Sequence, residues 1–225
     1  MKLAITGASG KTGFRIAEEA MKAGYKVKLV IRYNSLIPDS LKSCETIRID
    51  FTNKNALDDA LRDSDGLIIA TGARPSIDLT GPARIDAIGV KNQVESCKRL
   101  GVKRIILVSS LCAGRFFHPL NLFGLILIWK RYGEKAIEES NLDWTIIRPG
   151  GLTEKEEGLR EEKVFYTDAD QQEEASIPRR LVAQSCIQAI KTASASNRII
   201  EITSRKDIDS ISMEKAIEAF KIKSS

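Results

Sequence analysis

Three glycines at intervals of three, Gly7, Gly10 and Gly13, separate a short apolar run from a helical pattern near the start of the chain. Leu3, Ala4 and Ile5 make the run, as in a strand buried on both faces of a parallel sheet. Beyond Gly13 the period becomes helical. Ile16, Ala17, Ala20 and Met21 share one face, Glu18, Glu19 and Lys22 the other, and Gly24 supplies a stop. Strand, glycine turn and helix in that order present bare backbone N–H groups at a helix N-terminus, where the dipole is positive and phosphate is welcome. Glycines also serve a merely tight turn, but a position after a strand and before a helix is that of the dinucleotide fingerprint. The spacing is Gly-x-x-Gly-x-x-Gly, not Gly-x-Gly-x-x-Gly. Gly7, Ser9, Gly10, Lys11, Thr12 and Gly13 are therefore the expected diphosphate cradle. Gly10-Lys11-Thr12 also spells the end of a nucleoside-triphosphate loop, but that loop needs an earlier glycine at the place where Ile5 stands.

The alternation then repeats. Residues 25–31 read as a second strand ending at Arg32. A carboxylate in this region would bind the ribose 2′-hydroxyl of NAD, whereas a guanidinium grips two oxygens of a 2′-phosphate. NADP(H) is the expected cofactor, NAD(H) the alternative, with Lys11 a second cation; an arginine capping a strand in solvent is the plain reading of Arg32. Residues 45–49 form a third strand, followed by Asp50 and Phe51 where an adenine ring would lie. Asp50 there either accepts from the adenine amino group or simply turns the loop. Thr52 or Asn53 caps a helix reaching Arg62. A fourth strand over 66–70 leaves through Thr71, Gly72, Ala73 and Arg74, where backbone approaches the cofactor and Arg74 meets diphosphate or solvent. Pro82 opens a long helix to Leu100, stopped by Gly101. A fifth strand over 103–109 ends at Ser109 and Ser110. Parallel strands joined by right-handed crossovers give an α/β, doubly wound sheet with its ligand crevice outside the strand carboxyl ends. Gly7 to Gly13, Arg32, Asp50, Thr71 to Arg74, Ser109 and Ser110 all fall at such ends.

Bulk properties exclude several other classes. An apolar fraction of 43% suits a globular chain, and 225 residues suit one large domain over 1–225. The net charge of +5 is scattered, without the basic arm or basic-aromatic interleaving of a nucleic-acid binder. Cys44, Cys97, Cys112 and Cys186 lack metal or redox spacing, and with His118 the single histidine no metal site is expected. Reduced thiols fit a cytoplasmic setting. The most hydrophobic run, from Leu120 to Trp129, is too short to span a bilayer. It reads as a buried helix start, or as a docking surface for a protein partner or a membrane surface.

Three stretches carry a family resemblance: Thr6-Gly-Ala-Ser-Gly-Lys-Thr-Gly13, Gly101-Val-Lys-Arg-Ile-Ile-Leu-Val-Ser-Ser110 and Leu142-Asp-Trp-Thr-Ile-Ile-Arg-Pro-Gly-Gly-Leu152. They resemble the atypical short-chain dehydrogenase/reductases, in the NAD(P)-binding, NmrA-like branch that includes a plastid redox protein of the import translocon and its cyanobacterial relatives. The resemblance implies a Rossmann core, NADP(H), and chemistry or sensing by hydride transfer. It allows a plastid stroma-like compartment if a transit peptide was removed. It also implies a Tyr-x-x-x-Lys pair on one helix with a Ser after the fifth strand. One helical turn sets that Lys beside the Tyr, where its charge lowers the phenol pKa for proton transfer.

The chain departs from this pattern. Lys130 matches the family's Lys, but the Tyr position is Ile126, which transfers no proton. Tyr132 and Lys135, three apart, form a shifted pair that could share a helix face. Lys130 would still hold the nicotinamide ribose, and Ser110 would polarise a carbonyl or remain a strand-end hydroxyl. By the same resemblance Pro149, Gly150 and Gly151, after a sixth strand over 144–147, lie beside the nicotinamide. Residues 152–180 and 204–225 would be a reduced substrate lobe and C-terminal helix. The charge run over 153–176 reads as a solvated face holding one strand-like stretch at 164–166. Pro178 begins a further helix whose Arg179 and Arg180 face solvent or an anionic substrate. Two functions remain: an NADPH-dependent oxidoreductase of an unknown small-molecule carbonyl, enone or quinone, or a non-catalytic NADP(H)-binding sensor or assembly factor.

Overall fold

The structure, a computed structural model, describes residues 1–73, 79–122, 124–172 and 175–223. Arg74 lies outside them. Eight strands form one sheet in the order β3-β2-β1-β4-β5-β6-β10-β8. These are β1 (Lys2–Thr6), β2 (Lys26–Arg32), β3 (Glu45–Ile49), β4 (Gly66–Ile69), β5 (Arg104–Val108), β6 (Asp143–Pro149), β8 (Lys163–Thr167) and β10 (Arg198–Arg205). Seven run parallel, and β8 pairs antiparallel with β10 at the edge. The central strands are fully buried, as their unbroken Leu/Ile/Val runs require when helices cover both faces.

On one face pack α1 (Gly13–Lys22), α5 (Arg179–Lys191) and α6 (Met213–Lys223), sharing a core of Leu3, Ile5, Ile16, Ile106, Val182 and Ile217. On the other pack α2 (Lys54–Leu61), α3 (Val90–Leu100) and α4 (Ile126–Glu138), around Leu57, Leu61, Val94, Ile105 and Ile137. The strand order reverses between β1 and β4, so the crevice opens beside the glycine turn.

Several local expectations are narrowed or corrected. Of the two candidates offered for the cap of α2, the structure selects Asn53, its Oδ1 accepting from Ala56 N at 3.1 Å. The helix after Pro82 opens as a π-helical stretch, Ala83–Gly89, before becoming α3. The sixth strand runs on through Arg148 and Pro149. A second sheet of two three-residue strands, β7 (Gly151–Thr153) and β9 (Ser176–Pro178), goes unseen in the sequence because three residues show no period. Pro178 stands before α5 in extended conformation and not in its first turn.

Candidate cofactor site

The glycine turn is shaped by contacts that differ among its three glycines. Gly7 has φ +76°, and a Cβ there would stand 2.5 Å from the Ala70 carbonyl oxygen. At Gly13 a Cβ would stand 2.1 Å from the Gly7 carbonyl oxygen, so α1 sits directly on the turn. Packing alone explains both. At Gly10 a Cβ would meet only that same carbonyl, at 3.1 Å, and Gly10 borders an open cavity of about 780 Å³. A volume of that size suits a cofactor or drug-sized ligand.

Gly10, Lys11, Thr12, Thr71, Gly72, Ala73, Ser109, Ser110, Lys130, Pro149, Gly150 and Gly151 all line this cavity. The ends of β1, β4, β5 and β6 and one face of α4 thus meet in one place. Thr71 and Ser109 carry buried hydroxyls that make no hydrogen bond among the described residues. A hydroxyl so placed is costly, and a polar ligand against this wall would satisfy it. The fit to a dinucleotide therefore rests on an unobstructed cradle at Gly10 and two hydroxyls needing partners.

Other expected residues lie apart from this cavity. Arg32 and Asp50 are exposed at the ends of β2 and β3, and Phe51 is half-buried against the second core. Asp50 accepts from Thr52 N at 2.9 Å, the turn role. The loop after Arg32 is fixed by Arg48, whose Nη1 donates to the carbonyls of Tyr33 and Ser35, each at 2.8 Å. Ser9 is half-buried within the turn. Tyr132 is 57% exposed, its ring 5.5 Å from that of Trp129, outside the cavity lining, so the shifted pair with Lys135 is not brought to the site. Ile126 is buried.

The apolar run from Leu120 to Trp129 is only partly a buried helix start. Ile126 and Leu127 are buried, but Leu122 is 81% exposed and Leu125, at φ 57°, precedes the helix. Phe116 and Phe117, in edge-to-face contact nearby, are exposed as well. Among the described residues no helix is long and apolar enough to cross a membrane.

Sequence reading missed several side chains. Asp86, buried in the π-helical stretch, accepts from Lys130 Nζ at 2.8 Å and from Ala73 N at 3.1 Å. One carboxylate thereby fixes both the α4 lysine and the turn after β4. A lone Asp in a helical pattern gives no sign of this, because the π turn that aims it is invisible in sequence. His118 and Cys112, in the stretch between β5 and α4, also line the cavity. Asn121 braces that stretch, its Nδ2 donating to the carbonyls of Arg115 and Phe116 at 2.8 Å and its Oδ1 accepting from Leu127 N at 3.0 Å.

Beneath the wall formed by α4 and β6, Arg148 is enclosed by carboxylates. Its Nε and Nη2 donate to Glu134 at 2.9 and 2.8 Å, and its Nη1 lies 3.5 Å from Glu201. Burial is the largest single influence and opposes the charge, but the Glu134 bond together with the charges of Glu134, Asp170 and Glu201 outweighs it and holds the guanidinium above its ordinary pKa. Glu201 further accepts from Gln171 N and Gln172 N at 3.0 Å each.

The charged segment after β7 is exposed over residues 154–158, as a solvated face should be, but two of its glutamates are paired. Glu154 pairs with Lys11, Arg15 and Arg179, and Glu156 pairs with Arg15 and Arg180. Arg180 also reaches Glu18 and Glu19, so neither arginine at the start of α5 merely faces solvent.

A doubly wound parallel sheet, a glycine turn at the switch point and a lysine on the following wall define a Rossmann-type dinucleotide-binding protein. A family model described as NAD(P)H-binding matches residues 7–193, and the chain belongs to that family. An uncharacterized chloroplast protein of Arabidopsis thaliana is 35% identical over 92% of this chain and 78% of its own length. Protein TIC 62, chloroplastic, of the same plant is 32% identical over 70% of this chain but only 28% of itself. Sanguinarine reductase of Eschscholzia californica is 39% identical over 56% of this chain and 47% of its own. Among solved structures, an oxidoreductase of Lactococcus lactis superposes with a TM-score of 0.81 at 20% identity, covering 99% of this chain and 97% of that one. A short-chain dehydrogenase/reductase of Veillonella parvula in complex with NADP gives 0.73 at 17%, covering 94% and 99%.

Proposed function

We propose that this chain is an NADPH-dependent oxidoreductase of a small carbonyl, enone or quinone, binding NADP(H) in preference to NAD(H). One observation carries the reading: Gly10, Lys11, Thr12, Ser110, Lys130 and Gly150, from distant parts of the sequence, border one cavity. In this reading Gly7, Ser9, Gly10, Lys11, Thr12 and Gly13 hold the diphosphate. Arg32 grips the 2′-phosphate, Asp50 and Phe51 flank the adenine, and Thr71, Gly72, Ala73 and Ser109, with Arg74, face the remainder. Lys130, steadied by Asp86, holds the nicotinamide ribose, while Pro149, Gly150 and Gly151 back the ring.

Bound NADPH supplies hydride. Ser110 donates a hydrogen bond to the substrate oxygen and so stabilises the charge that grows there. With Ile126 buried and Tyr132 off the cavity, the proton for that oxygen comes from this wall, where Ser110, Cys112, His118 and Lys130 carry exchangeable hydrogens. The likeness to a plant reductase supports turnover. The expected result is NADPH oxidation above background with at least one of a panel of quinones, enones and aldehydes. Failure across the panel by protein that binds NADPH would overturn the enzymatic reading.

Ile126 favours a second reading, a redox sensor or assembly factor that holds NADP(H) without turnover. The likeness to TIC 62 and the exposed Leu122 and Leu125 fit a protein partner or peripheral membrane contact along residues 120–129. Association that changes with the NADP+/NADPH ratio is its expected signature. Two of the plant relatives, the uncharacterized Arabidopsis protein and TIC 62, are chloroplast proteins, which fits a plastid stroma-like compartment as the alternative to the cytoplasm.

A further inference from the structure

At the rim of the glycine turn a carboxylate stands among cations. Glu154 Oε1 lies 2.8 Å from Arg179 Nε and 3.1 Å from Lys11 Nζ, and its Oε2 lies 3.3 Å from Arg15 Nη2. The turn, α1 and α5 each contribute one of these cations. Lys11 and Arg179 also line the cavity, and Arg179 Nη1 donates to Thr12 Oγ1 at 2.9 Å. The anion that these cations hold in this structure is thus the chain's own side chain.

Its neighbour Glu156 is placed differently. It pairs with Arg15 and with Arg180 Nε at 3.1 Å, and Arg180 Nη1 is itself held by Glu18 at 2.7 Å and Glu19 at 3.2 Å. None of those partners lines the cavity, and the buried Arg15 is shared with Glu154. Glu156 therefore ties the segment to the body of the fold, whereas Glu154 engages the cations that border the ligand space. Glu154 lies in the irregular stretch that follows β7, with a side chain 47% exposed. It can leave its partners for water at small cost.

We propose that Glu154 is an internal stand-in for the cofactor diphosphate and is displaced when the nucleotide binds. This rests on the cofactor reading given above. Two anions cannot share Lys11 and Arg179 without repulsion. A diphosphate brings more charge and more acceptor oxygens than one carboxylate, so it wins the cations. While the site is free, Glu154 keeps Lys11 and Arg179 oriented and their charge neutralised. On binding it swings outward, with Glu156 as the fixed point. The device lowers cofactor affinity, because each binding event must first break the ion pairs of Glu154.

The test is calorimetric titration of NADPH and of NADH into the full chain carrying Glu154→Gln, Glu154→Ala or Glu156→Gln. Removing the Glu154 charge should tighten both nucleotides by the same factor, about threefold to tenfold, as expected for half-exposed ion pairs. Glu156→Gln should not tighten either. In the unsubstituted chain, saturating NADPH should speed backbone hydrogen exchange over residues 153–157. Unchanged or weaker binding in both Glu154 variants, or slower exchange in that segment, would overturn the proposal. So would a gain confined to NADPH, which would place the 2′-phosphate at these cations instead. An unsubstituted chain that binds neither nucleotide would overturn the cofactor reading itself.

Discussion

Arg148 and Glu154 each stand at the centre of a cluster of opposite charges beside the same cavity, but one cluster has a buried core and the other is half in water. Arg148 is 2% exposed and its partners Glu134 and Glu201 are fully buried, with only Asp170, 3.0 Å away, reaching it from the surface. Glu154 shares its charge with Lys11, whose side chain is 60% exposed. Arg148, Glu134 and Glu201 cannot exchange partners, because any one of the three left alone would be a buried charge. This cluster fixes α4 against β6 and so holds the wall that carries Lys130. The open cluster loses little when one anion replaces another. The same chemistry thus makes a rigid wall on one side of the cavity and a replaceable anion on the other.

The comparison is broken most severely at Arg148. Arg148→Met strands Glu134 and Glu201 and should cost about 3–5 kcal/mol, read from the urea midpoint at constant slope. Glu154→Gln should leave that midpoint nearly unchanged. Equal losses in the two variants would mean that the clusters do not differ in kind.

The glycine turn sharpens the contrast between fold and ligand. Gly13→Ala drives a Cβ into the Gly7 carbonyl and should destabilise the chain by about 1–3 kcal/mol or more. Gly10→Ala meets that carbonyl only at 3.1 Å, so it should keep the fold while weakening nucleotide binding. A Gly10→Ala protein that melts early yet binds normally would make this glycine structural.

What the sequence disclosed and what it hid follow the same division. The alternation of strand and helix was legible because buried parallel strands are unbroken apolar runs and the helices have one-sided faces, as at Ile16, Ala17 and Ala20. The cavity lining at Gly10 to Thr12, Thr71 to Ala73, Ser109-Ser110 and Pro149 to Gly151 followed, because strand carboxyl ends in such a sheet share one edge. Long-range charge pairing was hidden. Nothing local distinguishes Glu154 or Glu156 from solvated glutamates, since their partners lie in α1 and α5. Nothing local marked Arg148 as the centre of a buried ion cluster, because Glu134 and Glu201 are far from it in sequence. Asp86 depends on a π turn, and β7 and β9 are too short to show alternation.

Arg32 bears most directly on the central claim, that the first βαβ unit receives a phosphorylated dinucleotide. NADPH and NADH should be titrated into the unsubstituted chain and into Arg32→Ala. The account predicts tighter binding of NADPH than of NADH. It also predicts that Arg32→Ala loses most of that preference, about 1.5–3 kcal/mol for a charged hydrogen bond, with NADH affinity little changed. A chain that binds neither nucleotide, or one whose preference survives the loss of Arg32, would contradict it.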